Sequence, residues 1–268
     1  MKLTATAWSF PQLDLREISG VLKALGINAV DIGLFYNSAL DKNRLLNDGK
    51  AYAQELAALD IEFANLYYLF GDGLADRNLA NSQSLKENIA DLAKLMPFLK
   101  AAKIPSIMLL PGVLNKGQNR RDALKETVIS LKELLPIAED SGIILTIEPH
   151  VHSYLESPNL VLELLAQAPV KLTLDYAHFV ALGYRQEEID ELAKYAAHIH
   201  LRQARAGSLQ AKLEQGTINF PAVLAVLKEH NYRGYLSIEY VHQDYMNTLY
   251  DDVLSETVKM RNLVQEFL

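Results

Sequence analysis

Residues 196 to 205 read AAHIHLRQAR, in which His198, His200 and Arg202 alternate with Ile199 and Leu201. Alternate side chains of a β-strand face opposite sides, so the two imidazoles share a face that the aliphatic residues avoid. Three other segments repeat the arrangement. ILTIEP sets Thr146 and Glu148 against Leu145 and Ile147, KLTLDY sets Thr173 and Asp175 against Leu172 and Leu174, and YLSIEY sets Ser237 and Glu239 against Leu236 and Ile238. Three carboxylates brought close together raise one another's proton affinity unless a cation neutralises them. Glu148, Asp175, His200 and Glu239 are therefore candidate ligands of one divalent metal. Oxygen donors with one imidazole suit Mn²⁺, Mg²⁺, Co²⁺ or Zn²⁺, with positions left for water or substrate. With no cysteine in the chain, a thiolate site is excluded.

For these four groups to converge, their strands must lie side by side in one sheet. Strand patterns recur at 3–8, 28–35, 62–68, 105–112, 144–149, 171–176, 197–201 and 235–240. Amphipathic helical stretches separate them at 15–26, 51–60, 82–102, 121–142, 157–168, 185–196 and 219–234, and another closes the chain at 255–267. Several open on Ser, Asp or Asn and stop at Gly, as capping chemistry requires. Strict alternation over 268 residues, with no linker or low-complexity tract, predicts a single α/β domain over 1–268, a (β/α)8 TIM barrel. No GxGxxG or GxxxxGK[ST] follows a strand, which removes support for a nucleotide-binding doubly wound sheet. In the barrel the Leu and Ile rows face the helices and the polar rows face the interior. Each polar row ends at the C-terminal face, where barrel active sites sit.

Composition narrows the partners. A formal charge of −7 argues against a nucleic-acid binder, 50% hydrophobic content permits a large core, and no stretch is long and apolar enough for a membrane span. The expectation is a soluble cytoplasmic protein acting on a small molecule.

The motifs IEPH, LDYAH, HIHLR and GYLSIEY resemble the sugar isomerase/epimerase family that shares the xylose isomerase-like barrel and is related to endonuclease IV. The similarity runs along essentially the whole chain and is strongest from Ile143 onward. It implies one divalent metal, manganese among the candidates, held by Glu148, Asp175, His200 and Glu239. It makes His178, from the DxxH motif, a substrate-hydroxyl ligand, with Arg202 or Arg205 in a similar role. It also makes Glu148 and Glu239 the catalytic pair, one removing the proton next to a carbonyl and the other returning one. The implied substrate is a ketose, sugar phosphate or cyclitol, with a dehydratase of a cyclic keto-polyol as the alternative and a homo-oligomer as the family habit. Two departures stand out: HLRQ replaces the HLKD-like sequence of many relatives, and Asp31 stands where others carry Glu, reading as a barrel-floor residue. Relatives acting on abasic DNA carry extra histidines after the early strands, which this chain lacks.

Those early strands end instead in Trp8, Phe35, Tyr36, Tyr67 and Tyr68, an aromatic wall that would orient a small polyol and exclude water. His150, His152 and Glu156 follow Glu148 in a loop, where His150 is placed for substrate contact. The polar stretch 204–216, flanked by Gly207 and Gly216, suits a lid or, equally, a passive surface loop.

Overall fold

A computed structural model describes residues 1–34, 39–244, 246–249 and 252–268. Phe35 and Tyr36, two members of the expected aromatic wall, lie outside the described residues. The strands are β1 (Lys2–Thr6), β2 (Ala29–Gly33), β3 (Glu62–Tyr67), β4 (Ser106–Leu109), β5 (Ile144–Ile147), β6 (Lys171–Asp175), β7 (Ala196–Leu201) and β8 (Tyr235–Ile238). Each pairs in parallel with the next, and β8 pairs with β1, so the sheet closes on itself. This is the (β/α)8 barrel expected from the alternation.

Ten α-helices cover the barrel among the described residues: α1 (Leu15–Ala24), α2 (Lys42–Asn47), α3 (Gly49–Leu56), α4 (Leu85–Ala101), α5 (Arg120–Glu139), α6 (Pro158–Gln167), α7 (Tyr176–Ala181), α8 (Gln186–Asp190), α9 (Phe220–Glu229) and α10 (Val253–Gln265). Their starts are chemically marked. Asp14 and Glu17 form a reciprocal capping box at α1, while Asn119, Ser157 and Asn219 cap α5, α6 and α9. The short helices α2 and α7 escape the sequence pattern. In α7 the cause is plain: all six residues, YAHFVA, are buried, so no polar face marks a helical period.

The strand faces divide as alternation requires. Leu145, Ile147, Leu172, Leu174, Ile199, Leu201, Leu236 and Ile238 join the main apolar core beneath the helices. The opposite row, Thr4, Thr6, Thr146, Thr173, His198 and Ser237, is fully buried and polar. Within it the Thr146 and Thr173 hydroxyls meet at 2.8 Å. A register irregularity between Leu172 and Thr173 sets Thr173 opposite His198 and Asp175 opposite His200. His200 in turn lies opposite Ser237, two residues before Glu239.

Candidate metal centre at the barrel mouth

Glu148 directly follows β5 and Glu239 directly follows β8, so each carboxylate leaves its strand where the backbone turns outward. Between them, His200 Nδ1 lies 2.7 Å from Glu148 Oε1 and 3.0 Å from Glu239 Oε2. The three side chains offer donor atoms within 4.8 Å of one another, and all three are buried. Glu239 Oε1 accepts the Trp8 indole N–H at 2.7 Å, while its buried Oε2 faces His200 Nδ1 at 3.0 Å and Arg202 Nη2 at 3.4 Å. Directly beneath, Asp31 Oδ2 sits 2.6 Å from His198 Nε2 and 3.4 Å from His200 Nε2. Asp31 thus backs the imidazole whose other nitrogen faces the two glutamates.

The charge balance calls for a cation. Asp31, Glu148, Asp175 and Glu239 are all buried here, and Arg202 is the one buried guanidinium among them. Buried charges without compensation are expensive, so a divalent ion at Glu148, His200 and Glu239 fits both the donor set and the deficit. The proton affinities bear the same strain. Burial pushes Glu148 up to about 7 despite the opposing pull of His200. For Glu239 burial also works upward, yet Arg202, His200 and the Trp8 indole together hold it well below its ordinary value. His200 is driven well above its usual range, the charges of Glu239 and Glu148 outweighing burial.

Asp175 does not join this trio. Its Oδ2 accepts two hydrogen bonds from Arg202, from Nε at 2.9 Å and Nη2 at 2.8 Å, and its Oδ1 accepts the Ala177 N–H at the start of α7. His178, on α7, places Nε2 3.1 Å from Arg202 Nη2 and 4.0 Å from Glu148 Oε1. The ring of His150 lies 4.2 Å from that of His178, tilted by 43°, and Glu148, His150 and His178 form a second group of close donors. Burial is the main cause that lowers both histidines, His150 to about 4, and so keeps them neutral.

A cleft of about 250 Å³ opens above these groups. Glu148, Glu239, His150 and His152 line its polar side, while Trp8, Tyr67, Met108 and Leu110 line the other. Trp8, Tyr67, Met108 and Val241 form a small apolar cluster of their own, apart from the main core. Of the expected aromatic wall, Trp8 and Tyr67 line the cleft, whereas Tyr68 is fully buried in the main core.

Three expectations need correction. Arg205 is exposed and lines a different cavity with Ser208, Asp244 and Asn247, so of the two candidate arginines only Arg202 reaches the centre. The stretch 204–216 is fastened down rather than free as a lid. The Gln210 amide accepts the Val241 N–H and donates to the Val241 carbonyl like a strand neighbour, the Leu213 N–H bonds Glu256, and Leu209 is fully buried. Asp31 is no mere floor residue, since it contacts both histidines of HIH. Its place was open to sequence reasoning: Asp31 lies in a strand, NAVDIG, whose neighbours Val30 and Ile32 face the core. Met108 was open in the same way, being inward by alternation in SIML.

The family model of the xylose isomerase-like TIM barrel matches residues 20–259. Among curated proteins the chain is 24% identical over 183 residues to an inosose isomerase of Halalkalibacterium halodurans, covering 63% of this chain and 64% of that one. The chain spans about half to two thirds of the length of the curated relatives it matches. Among solved structures, the IolI protein with a bound zinc atom superposes with a TM-score of 0.76 at 19% identity, covering 100% of this chain and 99% of that one. An L-ribulose 3-epimerase superposes with a TM-score of 0.73 at 16% identity, covering 100% and 95%. At these identities the structural likeness speaks for the fold, and the family match over most of the chain assigns its membership: the protein belongs to the xylose isomerase-like TIM barrel family.

Proposed function

We propose that the chain is a divalent-metal-dependent isomerase or epimerase of a ketose or cyclitol. The observation that carries this reading is the pair Glu148 and Glu239, which flank His200 at 2.7 and 3.0 Å and both line the cleft at the barrel mouth. Two carboxyls lining one cleft are placed to take a proton from a substrate carbon and to return one in the same turnover. Glu148, His200 and Glu239 would hold the metal, which supplies polarisation of a substrate carbonyl and so lowers the barrier to loss of the neighbouring C–H proton.

The remaining residues orient and shield. The Trp8 indole N–H fixes the Glu239 carboxylate by one oxygen, leaving the other turned toward His200. Neutral His150 lines the cleft as a group suited to a substrate hydroxyl, with His178 behind it held by Val151 and Arg202, while Tyr67, Met108 and Leu110 present a dry surface to the carbon skeleton. The similarity to an inosose isomerase and to a ketose epimerase structure supports a small polyhydroxylated ketone as substrate. The test is incubation with ketoses and inososes in D₂O after metal loading, followed by NMR. Deuterium at the carbon beside the carbonyl, without loss of water, is the expected result. An enone product with its ultraviolet absorbance would instead identify a dehydratase.

A further inference from the structure

On the isomerase reading above, we infer that the substrate is an uncharged polyhydroxy ketone of monosaccharide size, a free ketose or an inosose, and not a sugar phosphate. Among the described residues the cleft is lined by two carboxylates, Glu148 and Glu239, and by no lysine or arginine. Residues 35–38, 245, 250 and 251 add no basic side chain by sequence. The arginines that follow β7 are placed elsewhere. Arg202 is 2% exposed, donates to Asp175 and does not line the cleft, while Arg205 lines a separate cavity with Ser208, Asp244 and Asn247. The other polar groups of the cleft are His150, His152 and Gln243, whose imidazoles and carboxamide can exchange hydrogen bonds with hydroxyls. A divalent ion at Glu148 and Glu239 is balanced by those two carboxylates, so it brings no surplus charge for a phosphate.

Backbone donors are also spoken for. Barrels that hold a phosphate commonly do so with the loops after the seventh and eighth strands and a helix N-terminus there. In this chain the helices that follow those strands are capped by their own side chains. At α9 the Asn219 side chain accepts the Ala222 N–H, and Pro221 has no N–H to offer. At α10 the Asp252 carboxylate accepts the Ser255 N–H, and Glu256 adds a second carboxylate in the first turn. Negative groups already take the place that the helix dipole would give an anion. Size sets the remaining limit. At about 250 Å³ the cleft falls below the roughly 300–1,000 Å³ of sites for drug-sized ligands, a fit for one sugar or cyclitol ring. Its dry side, Trp8, Tyr67, Met108 and Leu110, would strip water from a phosphate and leave its oxygens unpaired.

The experiment sets 2-ketopentoses and 2-ketohexoses beside their terminal phosphate esters, with an inosose as the cyclic probe, on the full chain in Mg²⁺ or Zn²⁺. Binding is read by saturation-transfer NMR and turnover by deuterium uptake from D₂O, in wild type and in Arg205→Ala. A neutral ketone should bind and exchange with kcat/KM about tenfold or more above that of its ester, the cost of setting like charges together without a cation. Arg205→Ala should leave that preference unchanged. An ester bound and turned over as well as its neutral partner would overturn the inference and leave the isomerase reading standing. A loss confined to the esters in Arg205→Ala would overturn it too, by identifying the group that anchors them. No binding or exchange of the inosose or of either member of any pair would remove the isomerase reading and this inference with it.

Discussion

The two halves of the barrel mouth are built from the same alternating strands and present opposite chemistry. Strands β1, β3 and β4 bring Trp8, Tyr67 and Met108 to the rim, where they close into an apolar cluster with Val241. Strands β5 to β8 bring Glu148, Asp175, His200 and Glu239. One half can hold carbon and exclude water, and the other can hold charge and move protons. Two residues cross the divide. Asp31 reaches from β2 to His198 and His200, and the Trp8 indole donates across the mouth to Glu239. The lesson is that the apolar half also sets the orientation of the groups it faces.

Breaking the polar half should cost the most. Glu148→Gln and Glu239→Gln are each expected to slow deuterium exchange into substrate by about 10²–10⁴-fold, the range for loss of a proton-transferring group. Their melting temperatures should stay close to wild type, because each substitution keeps the shape and removes a buried charge. Next comes the cross-barrel support: Asp31→Asn is expected to weaken metal binding by about 10–100-fold by loosening His200, measured by calorimetric titration.

A smaller effect follows from protons competing with the metal. Glu148 titrates near 7 because of burial, and His200 holds its proton well above its usual range, so metal must displace protons from both. Affinity should therefore rise with pH, by up to about a hundredfold per unit below 7, where both groups give up a proton, and by about tenfold per unit above it, where His200 alone still does. An affinity independent of pH between 6 and 8 would contradict this balance. The smallest effect belongs to the apolar half. Met108→Ala should raise KM by a few-fold with kcat little changed, the signature of binding shared by ground and transition states.

Much of this architecture was legible because its physical causes are periodic. All eight strands announced themselves as aliphatic rows that had to meet helices, and the Glu–His–Glu convergence followed from four strands repeating one pattern. What stayed hidden was aperiodic. Helix α7 lies wholly buried and so carries no amphipathic signal, although it sets His178 beside Arg202. The engagement of Asp175 by Arg202 depends on side-chain reach between neighbouring strands, which spacing alone does not encode. The same limit left Arg202 and Arg205 equivalent as sequence candidates until burial separated them. The polar stretch 204–216 suited a lid only because its hydrogen bonds to Val241 and Glu256 are long-range.

The central claim, that the polar half of the mouth is a metal centre, is tested most directly by metal content. Purified wild-type protein and His200→Ala would be loaded with Mn²⁺, Co²⁺ or Zn²⁺ in turn, desalted, and measured by inductively coupled plasma mass spectrometry. The account predicts about one equivalent of a divalent metal in wild type and none in His200→Ala. Wild-type protein that retains no metal after loading with each ion, or a variant that retains as much as wild type, would contradict it.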